Sequence, residues 1–403
     1  IVSQRDFRKT ATFTIDPEDA KDFDDALSVE FLQNGNMEVG VHIADVTHYV
    51  RPNTALDRDA FDRATSVYLV DRVLPMLPEK ISNFLCSLRP DEDKLTFSVV
   101  FELDHRAEVQ HVWYGKTIIH SQKRFTYAEA QEVLEGKESS YSKELLTLNK
   151  LAKQIRAKRM QNGSIGFEST EVRFKLDENK KPIDVYVKEI KDSNQLIEEC
   201  MLLANKYVAK YIAKLRFEKE PIPNIYRVHD EPDLIKLEAF SEFAKRFGYL
   251  IKFEDARQTA FTLNALFTKI RGKKEQHVLE QLAIRSMAKA YYSTNNIGHY
   301  GLAFEHYSHF TSPIRRYPDV LAHRILFDCL NDKQASYQKQ PLEEMCVHVS
   351  ARERGAMMAE RESVKYKSVE FLSERIGQEF DGIISGVIGK GLFIELVETF
   401  LGE

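Results

Sequence analysis

The sequence predicts a mixed α/β (α+β) fold, a mixed sheet surrounded by helices, with the incomplete start of a small β-barrel at its end. Three observations point there. Segments up to residue 122 place β-branched and aromatic residues at strand spacing, and long stretches within 142–215 carry apolar residues every three to four positions. The two types do not alternate as strictly as a doubly wound parallel sheet requires. With 403 residues, 43% of them hydrophobic and 11% aromatic, the chain can bury one large core or two to three ordinary ones.

In order, "ATFTI" reads as a strand that Pro17 ends, and "ALSVEFL" as the next. "QNGN" supplies an Asn34-Gly35 hairpin turn into "MEVGVHIADV". "DKLTFSVVFELD" and "AEVQHVWYGKTIIHSQ" are further strands, and "TYAEAQEVLEG" is a helix capped by Thr126 and stopped by Gly136. Two long amphipathic helices follow, "SKELLTLNKLAKQIRAKRMQNG" and "DSNQLIEECMLLANKYVAKYIAKL", with short strands "EVRFKL" and "PIDVYV" between them. A helix with Pro313 as its first residue, capped by Thr311 or Ser312, is expected in "FTSPIRRYPDVLAHRIL". Near residue 376 a long charged helical stretch gives way to "EFDGIISGVIGKGLFIELVE", two short strands around a glycine-rich turn. Too few residues remain for a barrel to close. "GVIGKG" lacks the spacing and the following helix of a P-loop.

Composition narrows the function. The chain has 57 basic and 62 acidic residues, net −5, so a polyanionic partner has to be met by a local basic channel. Cys86, Cys200, Cys329 and Cys346 lie far apart, form no CxxC, and suit a reducing cytoplasm. No apolar run spans a membrane, and "IVSQRDFRKT" has no signal-peptide core. Because the chain starts at Ile1, it reads as a fragment of something longer.

The densest signal is "DPEDAKDFDD", with six carboxylates in ten positions. Strands on both sides pin Asp16, Asp22, Asp24 and Asp25, whose repulsion must be relieved by protons or cations. Hard oxygen ligands favour magnesium, manganese or calcium. An EF-hand fails, since its glycine and final glutamate would fall on Lys21 and Leu27. Carboxylate-held magnesium serves phosphoryl transfer, so metal-assisted phosphodiester hydrolysis is the expected chemistry. In "HYGLAFEHYSHFTSPIRRYPD", Arg315 and Arg316 at a helix start point to a bound phosphate, while His306 and His309 read as packing residues.

These stretches together resemble the RNase II and RNase R family of exoribonucleases, whose catalytic unit is the RNB domain. "TIDPEDAKDFDDA", "VHIADVTHYV", "SVYL", "PMLPEKISNFLCSL", "GSIGFES", "SNQLIEECMLLAN", "IYRVHDEPD" and "HYGLAFEHYSHFTSPIRRYPD" occur in family order, most like the bacterial RNase R branch. The resemblance implies an RNB catalytic domain over 1–375 and a partial S1 RNA-binding domain over 376–403. It implies that Asp16, Asp22, Asp24 and Asp25 hold two Mg2+ ions, with Mn2+ able to substitute, and that Asp24 is the most sensitive of the four. Arg315 would contact phosphate near the scissile bond. Tyr68 and Phe167 would bracket the stacked 3′-terminal bases, while Tyr127, Glu198 and Glu360 match further site positions. Arg316, "RAKR" (156–159) and "RGKK" (271–274) are candidate channel linings.

The implied function is magnesium-dependent, processive 3′→5′ hydrolysis of single-stranded RNA with a free 3′ end to nucleoside 5′-monophosphates, in the cytoplasm and without a foreseeable protein partner. Rival readings are a catalytically silent RNA-binding protein, a nuclease without RNA selectivity, and a phosphoesterase for small molecules.

Overall fold

The computed structural model describes residues 5–167, 171–253, 255–331, 337–388 and 391–396. Its centre is a seven-stranded sheet built from the N-terminal third. The strands are β1 (Arg5–Phe7), β2 (Thr12–Asp16), β3 (Asp25–Phe31) and β4 (Met37–Ala44), then β7 (Asp93–Leu103), β8 (Val109–His120) and β9 (Lys123–Thr126). Between β4 and β7 lie α1 (Ala55–Arg63) and a two-residue ladder of β5 (Val67–Tyr68) with β6 (Val73–Leu74). The order across the sheet is β1-β8-β7-β4-β3-β2-β9; the inner pairs are antiparallel and both outer pairs parallel. The expected Asn34-Gly35 turn joins β3 to β4, with Gly35 at φ +84°, a conformation glycine adopts without steric cost.

One face of β7 presents Phe97 and Phe101, which pack edge-on against Phe310 and Tyr207. The other face is polar yet buried. Ser28, His42, Ser98 and Thr117 form a continuous hydrogen-bonded chain, with 2.8 Å from Ser28 to His42 Nε2 and 2.7 Å from His42 Nδ1 to Ser98. The sheet curls over this chain, because Phe7 on edge strand β1 reaches His42 on central β4 at 4.8 Å. In a flat sheet three inter-strand steps would separate them by about 14 Å.

Helices cover this sheet: α2 (Tyr127–Leu134), α3 (Ser142–Gln161), α4 (Asp192–Lys214), α8 (Tyr317–Leu330) and α9 (Lys339–Ser373). Thr126 caps α2 as the sequence led one to expect, and Glu129 makes the cap a reciprocal box. The hairpin of β10 (Glu171–Leu176) and β11 (Pro182–Lys188) and the short pairs β12 (Arg216–Phe217) with β13 (Glu220–Pro221) and β14 (Tyr226–Val228) with β15 (Tyr291–Ser293) complete the middle. A second apolar core, centred on Leu237, Phe240, Leu263 and Leu279, joins α5 (Leu234–Lys245), α6 (Ala256–Ile270) and α7 (Gln276–Ser286). Among the described residues no helix is long and apolar enough to cross a membrane. All four cysteines are buried and unbridged. The final antiparallel pair, β16 (Gly382–Ile388) with β17 (Gly391–Leu396), forms as expected, and its turn at 389–390 lies outside the described residues.

One expectation is corrected. Helix α8 begins at Tyr317 rather than Pro313, its cap is Arg316 in extended backbone, and Pro318 is the proline of the first turn. Residues 312–316 instead make tertiary contacts. Ile314 N–H donates to Asp24, Ser66 N–H to the Arg315 carbonyl, and Tyr317 N–H to Ala64. The helix thus starts only after this segment has been tied to the acidic loop and to residues 64–66, just before β5.

Candidate active site

The β2–β3 ladder is short, pairing only Thr12 with Ser28 and Phe13 with Leu27. Beyond it the strands part, so that Asp16 at the end of β2 and Asp25 at the start of β3 flank a gap crossed by residues 17–24. The loop is fastened from outside. Phe23 N–H donates to Ser87 Oγ (3.0 Å), the Ser87 hydroxyl donates to the Lys21 carbonyl (2.8 Å), and Leu88 N–H donates to the Phe23 carbonyl (3.0 Å). Arg124 on β9 donates to the carbonyls of Pro17 (2.6 Å) and Glu18 (2.7 Å). Backbone fixation of this kind keeps a self-repelling run in one place.

Asp24 is 4% exposed; its Oδ1 accepts from Ile314 N–H at 2.9 Å and its Oδ2 lies 3.4 Å from Arg315 Nε. Asp22 Oδ2 accepts from the Tyr68 hydroxyl at 3.4 Å. Asp16 is buried and its Oδ2 has no hydrogen-bond partner among the described residues. Burial pushes all four carboxyls above the usual range; Arg315 opposes this at Asp22, Asp24 and Asp25, and neighbouring aspartates reinforce it at Asp16, Asp24 and Asp25.

An orphaned buried carboxylate oxygen and four hard donors around one arginine fit a divalent cation such as Mg2+ or Mn2+. As they stand, no three metal-ligating side chains among the described residues converge into a coordination shell. The two histidines lie apart from the cluster. His309 is buried with its Nδ1 2.7 Å from the Tyr292 hydroxyl, and His306 faces Glu305 and the Tyr226 ring.

The two arginines diverge. Arg315 is about half exposed and bonds Ser312 Oγ at 3.0 Å. Arg316 turns away and closes a two-pronged pair with buried Asp319, at 2.9 and 2.8 Å. Its Nε and Nη2 are thus engaged by Asp319, unlike the half-exposed guanidinium of Arg315.

Tyr68 is 39% exposed beside Asp22, and its backbone N–H donates to Glu360 of α9 at 3.1 Å. Val70 N–H donates to Ser363 of the same helix at 3.0 Å. Tyr127 opens α2 next to the cluster, where burial and the charges of Asp25 and Asp16 raise its hydroxyl pKa. Glu198 sits further off, 3.7 Å from Arg156 and 3.6 Å from Arg159. Phe167 packs on Phe267 at 5.4 Å in the second core. Of the basic stretches, Arg156, Lys158 and Arg159 all pair with glutamates, and Lys273 bonds the Tyr249 hydroxyl.

Sequence reasoning missed three groups that build the site: Arg124, the Ile314 amide and Asp319. Arg124 was findable, since a lone arginine two residues before a helix cap sits on the strand paired in parallel with β2. The Ile314 amide carried no signal, because any residue supplies an N–H.

The family model described as the RNB domain matches residues 4–332. Ribonuclease R 1 of Lactococcus lactis is 41% identical over the whole of this chain, which covers 50% of that protein. Ribonuclease R of Aquifex aeolicus is 40% identical, with 100% and 57% covered. The chain thus spans little more than half the length of these relatives. Mycoplasma genitalium RNase R in complex with ribose methylated single-stranded RNA superposes with a TM-score of 0.92 at 29% identity, over 99% of this chain and 63% of that one. Yeast Ssd1, described as a pseudonuclease, shares the fold at a TM-score of 0.80 and 21% identity, so the fold alone does not carry catalysis. On sequence and fold together, the chain belongs to the RNB domain family.

Proposed function

We propose that this chain is the catalytic part of a metal-dependent, hydrolytic 3′→5′ exoribonuclease that degrades single-stranded RNA processively to nucleoside 5′-monophosphates. The observation that carries it is the run of Asp16, Asp22, Asp24 and Asp25 across the β2–β3 gap, with Asp24 buried and held between the Ile314 amide and Arg315 of one segment. Its relatives named Ribonuclease R support the reaction class.

In this reading the four aspartates hold magnesium, two ions, with manganese able to substitute. When bound, the metal stabilises negative charge on the phosphate and lowers the pKa of attacking water. Asp24 is fixed by its amide hydrogen bond and presents its other oxygen to Arg315. Arg315, half exposed, offers its guanidinium to a phosphate oxygen and to the charge that builds there in the transition state. Tyr68 offers an exposed ring for stacking at the 3′ end, a contact that tolerates any base. Phe167 would serve as the second stacking surface, and Tyr127 and Glu198 would position the end. Glu360 acts through Tyr68 by holding its strand. The β16–β17 pair is read as the opening of an S1 RNA-binding domain, and the buried thiols suit the cytoplasm.

A time course on a 5′-labelled single-stranded RNA tests the proposal. A short end product without a ladder of intermediates is expected with magnesium, and none with EDTA or with Asp24→Asn. Equal degradation of matched single-stranded DNA would overturn the RNA selectivity. RNA bound tightly but left intact would instead place the chain with silent RNA-binding proteins.

A further inference from the structure

A cavity of about 200 Å³ opens between α3, α4, the β7–β8 turn at Ala107–Glu108 and the turn at Ala303–Phe304. Its lining shares no residue with the acidic cluster. Asp25 acts on Cys200 of α4, and Lys206 of the cavity lies six residues further along, about 9 Å at helical rise.

Charge in this cavity is unbalanced. Lys158 is answered by Glu108 and Arg159 by Glu199, whereas no carboxylate among the described residues lies within ion-pair distance of Lys206. Its ammonium rests instead 4.8 Å from the centre of the Phe304 ring, and Lys210 lies 5.8 Å from that of Tyr207. Burial and the neighbouring Lys210 lower the Lys206 pKa, a penalty that a bound anion would remove. Leu202, Leu203 and Ile155 make the rest of the lining apolar. The combination is one unanswered cation, two aromatic rings and a volume suited to a single small molecule rather than a strand.

We propose that this cavity binds a nucleoside 5′-monophosphate, with its phosphate on Lys206 and its base against Tyr207 and Phe304, apart from the acidic cluster. The supply of that ligand as reaction product rests on the exoribonuclease reading; the binding itself does not. The cavity is also wired to the segment that carries Phe167. Arg159 donates to Ser164 Oγ at 2.6 Å, while the Ser164 hydroxyl and Ile165 N–H donate to the Gly301 carbonyl at 3.1 and 2.9 Å. Occupancy therefore bears on the stretch just before a proposed stacking residue, as product feedback would require.

The test is calorimetric titration of the full chain with adenosine 5′-monophosphate in EDTA. One saturable site is expected, weakened at least about 10-fold by Lys206→Met, kept within about 3-fold by Lys206→Arg, and unchanged by Arg315→Lys. Lys206→Met should degrade RNA at the wild-type rate when no nucleotide is added. No saturable binding at millimolar nucleotide, an unchanged affinity in Lys206→Met, or an equal loss in Arg315→Lys would overturn the site. Inorganic phosphate binding as tightly as the nucleotide would overturn the role of the two rings. Nucleotide binding in a chain that leaves RNA intact would sustain the cavity and sink the nuclease reading, so the two claims fail separately.

Discussion

Asp24 combines burial, a backbone hydrogen bond and proximity to Arg315, so its charge is the most costly of the four to keep and the most consequential to remove. Asp24→Asn keeps the shape and the Ile314 bond; we expect RNA hydrolysis to fall by at least about 100-fold with RNA affinity changed little, read by single-turnover kinetics beside a binding titration. The adjacent arginines should separate cleanly. Arg315→Lys should lower turnover with little effect on unfolding, because its guanidinium is half exposed. Arg316→Lys should cost about 1–3 kcal/mol of stability, because it leaves buried Asp319 without its fork. Equal effects of both changes on turnover and on denaturant midpoint would refute that division. This difference was not legible in "SPIRRYP", where both arginines look alike. It depends on where α8 begins, which tertiary hydrogen bonds decided against the local capping signal.

At the scale of elements, α9 braces the strand that carries Tyr68, the proposed stacking residue. Its 35 residues extend about 52 Å at helical rise, and Glu360 and Ser363 hold the backbone of β5 and the turn after it. Glu360→Ala should therefore raise KM for RNA several-fold with kcat nearly kept. Tyr68→Ala should raise it about 5- to 100-fold, the range expected for one lost base stack. If Glu360→Ala lowers kcat alone, the carboxylate has a direct part in the chemistry and the brace is the wrong account. The strands, the Thr126 cap of α2 and the two long helices were legible because each rests on local pattern. The closure of the acidic loop by Ile314, Ser87 and Arg124 was not, since each partner lies 64 or more residues away and carries no periodic signal.

For the molecule as a whole, buried histidines on both faces of the curled sheet set a pH response. His42 and His323 are fully buried, and loss of solvation pushes both down to about 3, so the folded protein keeps them neutral. A depressed histidine contributes stability that is present above its unfolded pKa near 6.5 and is lost as pH falls toward the folded value, at up to about 1.4 kcal/mol per pH unit for each. Thermal melts with magnesium present should show falling Tm between pH 6.5 and pH 5. His42→Gln should lower Tm at neutral pH but flatten that decline, and parallel curves for the two proteins would count against the histidine account. Metal is the second global lever: magnesium should raise Tm of the wild type and much less that of Asp16→Asn, whose partnerless oxygen is gone. The long range of the closing contacts also bears on how the protein is born. Asp24 waits for Ile314, 290 positions later, and Tyr68 for Glu360, 292 positions later. A nascent chain therefore carries an acidic loop with neither its amide partner nor its arginine until the segment 290 positions later has been made. Whatever chemistry the acidic loop supports is thus switched on by a segment made long after the loop itself.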